Sequence, residues 1–357
     1  MPELPIQKNI LVAPLNWGLG HATRCIPIIR ALEANGYTPI LASDGAALQL
    51  LKREFPKLLA LELPSYQIEY PREGKHFKWK MLQNLPKMME AVSGEKKIVK
   101  QWVKQYNLWG IISDNRLGVV SKKVPSVFIT HQLNVLTGNT TWLTGKLHRM
   151  IIEKFTECWI PDVDDFINLS GKLGHLKDAD DLHLKYIGPL SRFEPMALPA
   201  KYDLMVMLSG PEPQRGMLQE QLEREVMQFD GKVVFVKGVM EAEQKKIQLG
   251  NVTYYNFMTS SELEKTVNES KLVLCRSGYT TVMDLAKLGK KAFFIPTPGQ
   301  YEQEYLARKF KKEGLVPYAK QEHFRLEKLT EVDLYKGLPH IPEKIHWKNL
   351  FCLFERE

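Results

Sequence analysis

Between Asn9 and Pro296 the chain runs twice through one alternation: short apolar stretches of strand length, each followed by a segment of helical periodicity. Continuously apolar strands are buried on both faces, and they belong to parallel sheets covered by helices. The first series comprises NILVAPL (9–15), TPILAS (38–43), LLALEL (58–63), LWGIIS (108–113) and SVFITH (126–131), with a helix from about His21 to Asn35 that Gly36 ends. Near Gly188 the pattern pauses in GPLSRFEPMALPAKYD, rich in proline and without periodicity. A second series follows: YDLMVMLSG (202–210), a helix from about Gln214, KVVFVKG (232–238), VTYYNF (252–257), KLVLC (271–275), a helix to Leu288, and KAFFIP (291–296).

At 357 residues the chain suits two domains of ordinary size. The expected class is α/β, with two doubly wound parallel-sheet domains facing a central cleft. Their expected extents are 1–188, a linker at 189–201, a second domain at 202–340, and a C-terminal helix at 341–357 packing back on the first domain. Ligands of such sheets bind beyond the carboxyl ends of the strands, so function is sought in the loops there.

Composition excludes several classes. With 44% hydrophobic and 25% charged residues the chain reads as globular and soluble. The apolar stretch after Asn9 ends at Leu15, too short for a signal segment or a membrane span. Cys25, Cys158, Cys275 and Cys352 lie far apart with no CxxC, so a reducing cytoplasm without structural zinc is expected. The net charge of +8 is concentrated in residues 72–104, where nine basic residues face three acidic ones.

Five strand-exit loops carry polar chemistry. In NWGLGHATR (16–24), Gly18 and Gly20 admit a ligand close to the backbone, and His21 stands at the helix start. A hydroxyl nucleophile needs its proton removed as it attacks, so His21 is expected to act as general base; local hydrogen bonding of its ring is the plainer alternative. The loop is not GxGxxG, and Asp44 past the next strand lacks a supporting motif, which argues against a nicotinamide cofactor. ISDNRLG (112–118) and THQLNVLTGNTTWL (130–143) place Asp114, His131, Gln132 and Asn134 where polar groups are expensive unless paired or used. In SGPEPQR (209–215), Ser209 and Gly210 offer backbone N–H groups to a phosphate.

The longest loop signal is CRSGYTTVMDLAKLGKKAFFIPTPGQYEQEYLA (275–307). Here a buried strand exits through Arg276, Ser277 and Gly278 into a helix whose unpaired N–H groups and positive dipole end suit a phosphate, with the following amides, Thr280 included, completing the cradle. Asp284 offers two acceptors to a ribose diol, and Gln303 and Glu304 offer donors and acceptors for sugar hydroxyls. A solvated first helical turn is the plainer reading for one of Glu302 and Glu304.

Residues 271–307 resemble the nucleotide-sugar signature of the family 28 glycosyltransferases, in particular the branch that transfers N-acetylglucosamine in lipid-linked peptidoglycan precursor synthesis, with Asp284 standing for that branch's Glu. Weaker likeness covers the first loop with His21, THQLN, and the GPLSR linker ending in Arg192. SGPEPQR departs from the family's glycine-rich loop, and residues 64–107 do not align. The resemblance implies a GT-B fold of two Rossmann-like domains and a hexosyltransferase using a UDP-sugar. It implies uracil against the backbone at Phe257 and Met258, pyrophosphate at Ser277, Gly278 and Arg192, ribose at Asp284, and donor sugar at Gln303 and Glu304. Departing diphosphate charge would be met by helix N-termini with Arg276 or Arg192. No cofactor is expected, and no metal, on the reading that the chain carries no DxD.

The basic stretch 76–106, broken by Pro86 and Gly94, is expected to form two short amphipathic helices. They would either lie on an anionic membrane at the inner face of the plasma membrane, beside a lipid-linked acceptor, or pack on the sheet. Nucleic acid is not expected. Two other readings stay open: a nucleotide-sugar hydrolase in which water replaces the acceptor, and a binding subunit that needs a catalytic partner.

Overall fold

The computed structural model describes residues 7–66, 77–134, 141–176, 182–341 and 345–356. The chain divides into two compact units, Met1–Ile68 with Gln83–Leu190 and Glu343–Glu357, and Glu69–Leu82 with Ser191–Pro342.

The first unit is built on strands β1 (Asn9–Pro14), β2 (Thr38–Ser43), β3 (Ala60–Glu62), β4 (Leu108–Asp114), β5 (Ser126–Ile129), β6 (Glu157–Ile160) and β7 (Leu184–Tyr186). Among the described residues they form one parallel sheet in the order β3-β2-β1-β4-β5-β6-β7. Helices α1 (Gly20–Ala34), α2 (Gly45–Glu54), α3 (Phe77–Gln105) and α4 (Thr141–Ile152) accompany it. Strand order reverses between β1 and β4, so the loops leaving those two strands diverge and open a crevice at that edge.

One expectation fails here. The segment 76–106 is not two short helices; from Phe77 it is a single 29-residue helix that contains Pro86. An interior proline costs a helix roughly 3 kcal/mol. Burial of Ala91, Val99 and Val103, with Ile98 and Trp102 packed beside the apolar face of β1, β2 and β4, outweighs that cost. Gly94 is a contact rather than a break, since a Cβ there would lie 3.2 Å from Pro64. Lys87, Lys96, Lys97, Lys100 and Lys104 occupy the opposite, exposed face.

The second unit has β8 (Tyr202–Met207), β9 (Val233–Val236), β10 (Lys246–Leu249), β11 (Val252–Tyr255), β12 (Ser270–Cys275) and β13 (Lys291–Phe294). Their order is β10-β11-β9-β8-β12-β13, parallel except for the β10–β11 hairpin. Helices α5 (Gln214–Val226), α6 (Ser260–Asn268), α7 (Tyr279–Leu288) and α8 (Tyr301–Lys312) accompany these strands. Here the order reverses between β8 and β12.

A last helix, α9 (Trp347–Phe351), and the residues after it complete the first unit. The Tyr37 hydroxyl donates to the Phe351 carbonyl at 3.0 Å, and the fully buried Phe354 lies over Gly110, where a Cβ would fall 2.2 Å from its ring. Glycine in the middle of β4 is therefore the space that this ring fills. Phe354→Ala is expected to cost about 3–5 kcal/mol of stability in urea unfolding, the usual range for emptying a buried phenylalanine site.

Candidate active site

In the first unit three elements converge at the β1/β4 switch point. The loop leaving β1 bends through Gly18, at φ 76°, a left-handed conformation that favours glycine, and α1 begins at Gly20. His21 and Arg24, three residues apart, share one face of α1. Asp114 is the last residue of β4 and is wholly buried. His21 Nδ1 lies 2.8 Å from Asp114 Oδ1, and Arg24 Nε donates to Asp114 Oδ2 at 2.5 Å while its Nη2 reaches Oδ1. The same Nη2 stands 2.7 Å from His21 Nδ1. Arg24 Nη1 lies 3.0 Å from Nδ1 of His131, in the loop after β5.

Burial alone would raise the Asp114 carboxyl; the Arg24 charge, then His21 and their hydrogen bonds, outweigh it and hold the group well below the usual carboxylate range. For His21, burial first and then the Arg24 charge lower its pKa, while the charge and hydrogen bond of Asp114 raise it. The His21 side chain retains 16% exposure and its Nε2 has no partner among the described residues, so that nitrogen is open to a ligand.

Sequence reading named Asp114 and His131 as acceptor-side residues, and the structure joins both to His21 in one network through Arg24; Arg24 itself was missed, its signal being the i,i+3 spacing in HATR. It also missed Arg116. This buried guanidinium contacts Asp44 and donates to Glu95 at 2.8 Å and to the carbonyls of Pro14 and Pro64. Asn16 of the first loop donates to Asp44 in turn, so Asp44 anchors that loop. Asn134 donates its amide to the Lys172 carbonyl, a tertiary contact with a distant loop, and the Gln132 backbone donates to Thr130 Oγ1 while its side chain lies 3.5 Å from His131 Nε2.

In the second unit the loops after β8 and β12, both marked as phosphate loops in the sequence, flank the switch point. Ser209 and Gly210 follow β8, with Gly210 at φ 105°. Helix α7 starts on Gly278 with no side-chain cap. The Tyr279 N–H points at Glu302 Oε1, 3.4 Å away, so a carboxylate stands at the helix N-terminus where an anion is favoured. Thr280 lies in that first turn. Ser277 is buried and donates to the Gln303 carbonyl at 2.8 Å; Gln303 Oε1 accepts from Thr297 N, and Glu304 accepts from Gly299 N. Neither Glu302 nor Glu304 is a merely solvated turn residue.

One assignment changes. Arg276 does not face a ligand: it is 1% exposed and donates to the carbonyls of Ile295, Pro296 and Gln214 and to Gln321 Oε1. A guanidinium in the core has to be paired, and here it ties three loops together. The Phe257 main chain is already engaged, its N–H by Asn256 Oδ1 and its carbonyl by Gln244 Nε2, while Met258 beside it is buried. Arg192 lies beside Asp284, Nε to Oδ2 at 3.8 Å, and its Nη1 donates to Ser260 Oγ at 3.3 Å, while Asp284 Oδ1 accepts from Ser191 Oγ at 2.8 Å. A DxD does occur outside the five loops, at Asp162-Val163-Asp164, but the Asp162 carboxylate accepts from Val163 N, Leu169 N and Ser170. Asp178-Ala179-Asp180 lies outside the described residues.

Residues 214–341 match the family model for the glycosyltransferase family 28 C-terminal domain. That match lies within the second unit. The chain is 23% identical over 224 residues to the UDP-N-acetylglucosamine–N-acetylmuramyl-(pentapeptide) pyrophosphoryl-undecaprenol N-acetylglucosamine transferase of Haemophilus ducreyi. That alignment covers 60% of this chain and 59% of the relative. It is 21% identical to an uncharacterized glycosyltransferase of Methanopyrus kandleri, over 89% of this chain and 92% of the relative. Among solved structures it is similar to the calicheamicin glycosyltransferase CalG4 (TM-score 0.60, 12% identity, 92% of this chain and 90% of that one). It is likewise similar to MurG of Acinetobacter baumannii (TM-score 0.53, 14% identity, 91% and 89%). The fold is the GT-B fold of these glycosyltransferase structures.

Burial pushes the Asp284 carboxyl up to about 6, against Arg192 and Ser191. Between the ordinary aspartate value and that one, the folded chain holds a proton that the unfolded chain has lost, so stability falls as pH rises through this window. The urea midpoint of the wild type should therefore drop relative to that of Asp284→Asn between about pH 4 and pH 7; parallel pH profiles would rule out the raised carboxyl.

Proposed function

We propose that this chain is a hexosyltransferase that moves a hexose or N-acetylhexosamine from a UDP-sugar to an acceptor hydroxyl, without a metal and with His21 as general base. The observation that carries this reading is the family 28 match, which spans the β12–α7 turn and the loop entering α8. A nucleotide diphosphate suits that turn, because an α-helix N-terminus without a side-chain cap stabilises negative charge as it grows on a leaving group.

In the proposed reaction the acceptor oxygen attacks the anomeric carbon, the bond from that carbon to the diphosphate oxygen breaks, and the bonding pair leaves with UDP. His21 Nε2 takes the acceptor proton, since Nδ1 already faces Asp114 and Arg24. The diphosphate would displace the Glu302 carboxylate from the α7 N-terminus. Ribose would compete with Ser191 for Asp284, and the donor sugar would meet Gln303 and Glu304.

A lipid-linked or membrane-adjacent acceptor is part of the proposal, supported by the name of the Haemophilus ducreyi relative and by the exposed lysine face of α3, where Leu85 and Met89 are exposed as well. Among the described residues no helix is long and apolar enough to cross a membrane. Contact would therefore be peripheral, at the cytoplasmic face.

The test is nucleotide release from a panel of UDP-, GDP- and dTDP-sugars with and without a membrane lipid extract. Release from a UDP-sugar that depends on the extract is expected; release without it would instead make the chain a hydrolase. In the same assay His21→Asn should lower turnover by about 10²–10⁴-fold with UDP affinity retained. Asp284→Ala should weaken UDP binding by about 1–3 kcal/mol in calorimetry, the scale of a lost hydrogen-bond pair in a desolvated site.

A further inference from the structure

A histidine beside a buried carboxylate ordinarily gains a proton: the pair becomes imidazolium–carboxylate, and such a ring cannot act as a base. At the end of β4 a third group changes that outcome. Arg24 donates to both oxygens of Asp114, and it is 2% exposed, so its charge is poorly screened by water. Asp114 and Arg24 together carry no net charge beside the His21 ring. The carboxylate still accepts at 2.8 Å from Nδ1 and can fix the plane of the ring, while the positive charge 2.7 Å from the same nitrogen opposes a second proton.

We propose that Arg24 is a positioning residue that keeps His21 uncharged, with its proton on Nδ1 toward Asp114 and the lone pair of Nε2 turned outward. This rests on the reading of His21 as the base. The groups facing the pair come from every element packed there. They are Cys25 on α1, with Sγ 3.7 Å from Asp114 Oδ2, and Asn115 after β4, with Nδ2 3.4 Å from Oδ1. Beyond Arg24 lies His131, and His148 of α4 comes next to it. None of them brings a second negative charge to His21, so Arg24 decides the balance. The His21 pKa is lowered by burial first and by the Arg24 charge next, in agreement with this geometry.

Imidazole nitrogen shifts in protein labelled with ¹⁵N-histidine report both tautomer and charge, with the His21 signals assigned by their loss in His21→Asn. In the wild type, His21 should show a protonated Nδ1 and a midpoint below that of an ordinary histidine. Arg24→Gln should move the midpoint up by about one to three pH units, the reach of one adjacent charge. Arg24→Lys, which keeps the charge, should leave it nearly in place. Asp114→Asn, which keeps Arg24 and an acceptor, should move the midpoint down, and it decides the matter if Arg24→Gln does not fold. An unchanged midpoint in either charge-removing variant, or a wild-type proton on Nε2, would overturn the proposal. Turnover separates it from the reading it rests on. If His21 is the base, the acid limb of the rate profile shifts with the midpoint in Arg24→Gln. A midpoint that moves while the limb stays would remove His21 from the chemistry and leave the role of Arg24 standing.

Discussion

The first unit is organised around a carboxylate that has no access to water. Asp114 ends β4 at the point where strand order reverses, and desolvation of its charge is affordable only because Arg24 and His21 reach it from α1. That requirement fixes the rotation of α1, since His21 and Arg24 must both face β4. The bend at Gly18 then brings the chain from β1 to the start of the helix. His131 joins through Arg24, so the loops after three parallel strands share one network of charge and hydrogen bonds. Groups held this way lose little freedom when a ligand arrives.

A second buried cation does comparable work one layer away. Arg116 connects Asp44 after β2, Glu95 on α3 and the carbonyls of Pro14 and Pro64. Glu95 has its own partners in Tyr66 and the Gly118 N–H, yet burial still raises its pKa, the Arg116 charge notwithstanding. The long helix is thus tied to the sheet by ionic contacts as well as apolar ones, and the loop bearing Asn16 is held through Asp44. In the second unit Arg276 has the matching task, joining the β12 exit to the loop after β13 and to α5.

The strands most legible in the sequence were those buried on both faces. β1, β2, β4, β8, β12 and β13 begin within a residue of where their apolar runs do. β6, β7 and β10 carried no such signal: ECWI and LKY are too short to show a period, and all four residues of KIQL are exposed on a hairpin edge. Pro86 and Gly94 read as breaks because local propensity says so. Their surroundings, Pro64 and the apolar face of the first sheet, are remote in sequence. In the candidate site, His21, Asp114 and the Ser277-Gly278 turn were legible from loop position after a strand. Arg276 was misread, because a basic residue at a strand exit looks the same in sequence whether it faces a phosphate or three carbonyls.

By itself the sequence determined the two α/β units, the strand exits that bear polar groups, and the family 28 likeness of residues 271–307. All of these depend on periodicity or on residues close together along the chain. Only the tertiary structure decided which charges neutralise one another. Arg24 and Asp114 are ninety positions apart, as are Ser191 and Asp284 to within three, and a buried charge takes its partner from whatever the fold brings within hydrogen-bonding distance. The lowered pKa of His21 is set there too, by burial first and then by the Arg24 charge, with Asp114 acting the other way.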